Sequence, residues 1–102
     1  MTEATLEQEI QDKGLNAPRL TPEMVENTIS YTDYHIVTNT TCTVCTMVLK
    51  NGYVVVGQSA AVSMANFDAK IGHKIAREDA REQIWALEGY LLKQRLYELN
   101  KG

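Results

Sequence analysis

The chain has 102 residues, 44% apolar and 23% charged, with a formal net charge of −3, an ordinary globular composition for one domain. Residues 1–34 hold seven acids against two bases and residues 35–102 six against eight, which argues against a dedicated nucleic-acid binder with its strongly basic stripe. No apolar run approaches the roughly 20 residues of a membrane span, and the acidic start is unlike a signal peptide, so a soluble intracellular protein is expected.

In chain order, residues 1–13 predict a short acidic helix around Leu6 and Ile10, stopped near Gly14. Residues 1–20 are therefore read as an N-terminal segment prone to fray, and 21–102 as the single folded domain. A firmer helix opens at Thr21, with Pro22 in the first helical position and Glu23 in the first turn, presenting Met24, Val25 and Ile29 on one side. Residues 34–38 read as a strand and 39–41 as a turn.

Asn51-Gly52 then sits between two β-prone runs, the strongest short-range signal for a hairpin. A two-residue type I′ turn with positive φ at both positions sets Lys50 opposite Tyr53, Leu49 opposite Val54 and Met47 opposite Val56. Alternation puts Cys45, Met47, Leu49, Val54 and Val56 on the core face. The other face, with Val44, Thr46, Val48, Lys50, Tyr53 and Val55, is too apolar for a simple wet surface. Residues 57–61 read as an exit loop.

Ser63 or Asn66 caps a long final helix that runs to the vicinity of Asn100. Ala76, Ala80, Ile84, Leu87 and Leu91 share one sector at helical spacing, a core stripe. Ile71, Ile75, Trp85, Leu92, Leu96 and Leu99 fill a second sector, which needs its own cover. The N-terminal helix can supply that cover, or a second subunit can. Mid-helix Gly89 suggests a close approach or a bend. Together these elements define an α+β domain: a three-stranded antiparallel meander packed by the long C-terminal helix and one or two short N-terminal helices.

Few residues offer chemistry. Cys42 and Cys45 are spaced as Cys-x-x-Cys, but on a strand they face opposite ways with Cα atoms about 10 Å apart, too far for a disulfide. With His35 and His73 in different elements, no metal set forms, and no cofactor is expected. Ser59 lacks an elbow motif, Gly52 and Gly57 make no phosphate loop, and no carboxylate pair flanks a predicted cleft, so an enzyme is not expected. Lys70, His73, Lys74, Arg77 and Arg81 line one side of the long helix, either a solvated face paired with Glu78 and Glu82 or a cradle for an anion such as a nucleotide phosphate. Trp85, Leu92, Leu96 and Leu99, with Tyr53 on the hairpin, are the candidate interface, with core packing as the alternative for Trp85.

The chain also resembles a family of small tailed-phage and prophage proteins, the gene-49/gene-66 family, from about residue 20 to residue 96. The resembling residues are Thr21-Pro22, the Cys-Thr-Val-Cys strand, Lys50-Asn51-Gly52-Tyr53, Gly57-Gln58-Ser59-Ala60 and Asn66-Phe67-Asp68-Ala69-Lys70-Ile71-Gly72. They continue with Lys74-Ile75-Ala76-Arg77-Glu78 and, most specifically, Ile84-Trp85-Ala86-Leu87-Glu88-Gly89-Tyr90-Leu91-Leu92. Ala86 replaces a frequent proline of the family, and Ser63-Met64 an Asp-Pro pair. The resemblance implies a phage-encoded protein in the cytoplasm of a bacterial host and carries no activity. The expected function is a non-enzymatic accessory protein, a homo-oligomer that binds a host protein. The alternatives are an oligomeric sponge for an anionic nucleotide signal of host defence, with Trp85 or Tyr53 stacking on the base, and a minor virion or assembly component.

Overall fold

The computed structural model describes residues 3–14 and 17–101. Its elements are α1 (Glu3–Asp12), α2 (Pro22–Asn27), β1 (Ile29–Ile36), β2 (Cys42–Leu49), β3 (Val54–Ala60), one 3₁₀ turn (Met64–Asn66) and α3 (Ala69–Asn100). The strands form one antiparallel sheet in the order β1-β2-β3. This is the expected α+β fold, a meander packed by a long helix and two short ones.

Local chemistry explains the start of the domain. The Thr21 side chain accepts a hydrogen bond from the Met24 amide, and Pro22 fills the first helical position, where a missing N–H costs nothing. The helix lasts only six residues. Ile29, expected on its apolar side, instead opens β1, which begins five residues before the expected strand and ends at Ile36. Ile29 and Tyr31 flank a bulge, and the Lys50 amide donates to the Thr28 carbonyl, tying this entry to the hairpin tip. Asn39, with φ of 61°, turns the chain into β2.

The hairpin corrects a central expectation. Its loop has three residues, not two: the Gly52 amide donates to the Leu49 carbonyl and the Leu49 amide to the Tyr53 carbonyl. Only Gly52 takes positive φ, at 89°, and the Asn51 side chain accepts from the Tyr53 amide at 2.9 Å. This is a type I turn closed by a left-handed glycine. Val48 therefore pairs with Val54, Met47 with Val55 and Thr46 with Val56. A one-residue slip moves every side chain of a strand to the other face. Cys45, Met47 and Leu49 face the core as expected, but on β3 it is Val55 that is buried, while Val54 and Val56 are 46% and 49% exposed.

The slip has a packing reason. In this register Gly57, within β3 rather than in an exit loop, faces α3. A Cβ there would run into the Ala76 carbonyl and the Ala80 amide. Ala76 and Ala80 are themselves fully buried, so strand and helix meet backbone to backbone at three small residues. Around that contact Val25, Cys45, Met47, Leu49, Val55 and Ile84 complete the core, with Ile29, Tyr34 and Trp85 at its margin.

α3 starts at neither expected cap. Asp68 is the N-cap, its carboxylate accepting from the Ile71 amide at 3.1 Å, whereas Ser63 leads into the 3₁₀ turn. The helix has 32 residues, about 48 Å at the usual rise, against about 25 Å for the strands of seven or eight residues beside it. It outruns the sheet. Leu87 and Leu91, expected in the core stripe, are consequently 40% exposed each. Among the described residues no helix is long and apolar enough to cross a membrane.

Candidate interaction surfaces

The five basic positions on α3 meet very different fates. Arg81 is buried, 5% exposed. Its two terminal nitrogens each lie 2.9 Å from one oxygen of Glu3, a paired contact between α3 and α1. Its Nε lies 2.7 Å from Glu26 Oε2, close enough for charge attraction but not aligned as a hydrogen bond. Arg77 donates to the other oxygen of Glu26 at 2.6 Å. Arg77 holds the Glu26 carboxyl below its ordinary range, mainly through this hydrogen bond, and Glu3 in turn holds Arg81 charged. His73 is half-buried and stacks on Tyr34, with ring centroids 4.4 Å apart. Lys70 and Lys74 are exposed.

Glu3 and Glu26 had no signal in the sequence as partners. Their separations from the arginines, 78 residues for Glu3–Arg81 and 51 for Glu26–Arg77, lie far outside helical pairing distance.

The second apolar sector of α3 divides into two parts. Trp85 packs at the margin of the core and donates its indole N–H to Glu3 at 3.3 Å. Leu20 lies 3.8 Å from where a Cβ on Gly89 would sit, and α3 continues through this glycine. The N-terminal segment thus supplies cover at this end, leaving a groove of about 370 Å³ between α1 and α3 lined by Leu6, Ile10, Leu20, Pro22 and Trp85 together with the charged Glu3, Glu7 and Arg19. Beyond it Leu92 and Leu96 are half-buried and Leu99 is 78% exposed. No residue of α3 after Ile84 is buried. Tyr53 stands exposed at the hairpin.

The cysteines are free thiols, as expected from opposite faces of β2, with Cys42 half-buried and Cys45 buried. Burial pushes the Cys45 thiol up, away from the thiolate that nucleophilic chemistry needs. Among the described residues no group of His, Cys, Asp and Glu is placed to hold a metal ion.

The result is a small α+β domain, a meander whose ionic groups tie its own helices together and whose long helix carries apolar side chains to the surface. The chain belongs to the Phage protein (N4 Gp49/phage Sf6 gene 66) family, whose model matches residues 20–96. No curated protein and no solved structure gives a significant match.

Proposed function

We propose that this phage-family protein acts by binding rather than by catalysis, as a homo-oligomer that engages a protein of the bacterial host. The observation that carries this reading is the half of α3 beyond Ile84. It holds Leu87, Leu91, Leu92, Leu96 and Leu99 without one buried residue, and Tyr90 and Tyr97 are 74% and 56% exposed. Contiguous exposed apolar surface marks interaction sites. A projecting helix with apolar side chains at such spacings suits insertion into a groove of a partner. Leu92, Leu96 and Leu99 remain the favoured contact residues, Trp85 being held by α1.

The anion-sponge alternative has less support, because Arg77 and Arg81 already satisfy Glu26 and Glu3, leaving Lys70 and Lys74 as its exposed charges. The test is affinity capture of the tagged chain from infected cells. One host protein retained by the wild type and lost with Leu99→Glu supports the reading. Equal capture by both proteins, recovery of the chain in purified virions, or a thermal shift with cyclic nucleotides argues against it.

A further inference from the structure

The helices leave one face of the sheet bare. Ala76, Ala80 and Ile84 of α3 pack with Cys45, Met47, Leu49 and Val55, all on one side. On the opposite side the register builds cross-strand rows: Tyr31–Val48–Val54, Asp33–Thr46–Val56, His35–Val44–Gln58 and Cys42–Ala60. Tyr31, Val54 and Val56 are 60%, 46% and 49% exposed. Val44, Thr46 and Val48 on the central strand are half-buried by their neighbours alone.

The free edge of β3 is closed to strand addition. Asp79 accepts from the Gln58 amide at 2.9 Å, and the Gln83 side chain donates to the Val56 carbonyl at 2.5 Å. A partner here is therefore offered the face, not that edge.

We propose that a second copy of the chain seats on this face, two sheets packing face to face about a twofold axis that crosses the strands at right angles. This rests on the homo-oligomer reading and names its surface. The polar pattern selects the occupant and the axis. Asp33 and His35, both exposed, stand two residues apart on β1, a carboxylate that accepts hydrogen bonds and an imidazole that can donate one. The crossing axis lays β1 antiparallel over β1 of the second copy, so each Asp33 meets the other copy's His35 at the rim. An axis along the strands would set Asp33 over Val56 and desolvate a carboxylate without a partner. In that register Val44 lies over Thr46 of the second copy, Val48 over Cys42, Val54 over Ala60 and Val56 over Gln58, a largely apolar contact beside the polar Asp33–His35 rim. Strand spacing and rise give a footprint of roughly 400 Å² per copy. That places the pair in the weak class, below about 1,200 Å² in total, with a dissociation constant of micromolar order.

The experiment is sedimentation of the full chain from about 1 to 200 μM, a range that brackets a dissociation constant of that order. The wild type should pass from monomer to dimer. Thr46→Arg should weaken association at least about tenfold while melting like the wild type, and Leu99→Glu should leave it unchanged. If Thr46→Arg does not fold, Val56→Lys on the exposed strand carries the same expectation. Asp33→Lys should weaken the dimer, and adding His35→Glu should restore it. A dimer untouched by Thr46→Arg and Val56→Lys but dissociated by Leu99→Glu overturns this inference and leaves the homo-oligomer reading standing. A wild type that stays monomeric throughout overturns both.

Discussion

Gly57 of β3 lies against Ala80 of α3 with no room for a methyl group between strand and helix. Close packing makes interiors intolerant of added volume where the neighbour is backbone. Gly57→Ala should destabilise the domain by about 3 kcal/mol, lowering the melting temperature by at least about 10 °C by circular dichroism. Gly89→Ala is the contrast. A Cβ there meets Leu20 at an ordinary 3.8 Å, so the helix should gain about 0.5–1 kcal/mol from reduced freedom in the unfolded chain.

The hairpin loop asks for a left-handed residue at one position only. Gly52→Val should cost about 1–2 kcal/mol or more, because a β-branched residue is strained at a φ of 89°. Asn51→Ala should lose only the bond to the Tyr53 amide, about 1 kcal/mol. Equal losses in urea denaturation would restore the two-residue type I′ turn.

The hold of α1 on α3 is largely ionic, since α1 has no buried residue. Arg81→Ala should cost about 2 kcal/mol, because its buried side chain is lost from the packing and Glu3 loses its paired contact, whereas Glu26 keeps Arg77. Glu3→Ala should cost less, its side chain being 36% exposed. It should nevertheless shift the emission of Trp85, the sole tryptophan, to the red and speed proteolysis within residues 1–20. Unchanged emission would show that α1 does not depend on this contact.

Glu26 supplies a pH dependence. Its carboxyl is lowered from the ordinary 4.5, first by the hydrogen bond from Arg77. A group lowered in the folded state contributes stability that is complete above its unfolded value and lost as pH falls through the folded one. The melting temperature should therefore fall as pH drops below about 4.5. Glu26→Gln should flatten this fall while lowering stability at neutral pH. A wild-type slope retained in the variant would remove Glu26 as the source.

Much of this architecture was legible locally. The Thr21-Pro22 cap, the parity of β2 and the separation of Cys42 from Cys45 follow from side chains acting within a few residues of themselves. Those interactions survive whatever the rest of the chain does. The parity of β3 was not legible, because two-residue and three-residue loops both suit an Asn-Gly sequence. The choice was made by Gly57 against Ala76 and Ala80, some 20 residues away. The basic stripe divides in the same way. Spacing alone placed Lys70, His73, Lys74, Arg77 and Arg81 on one side of a helix. Only the folded chain brought Glu3 and Glu26 to the last two and Tyr34 to the histidine. The sequence by itself determined the elements and the family pattern, since these rest on short-range sterics and capping. Tertiary structure decided which valines face water and which charges are neutralised, because burial and ion pairing join residues that the sequence holds apart.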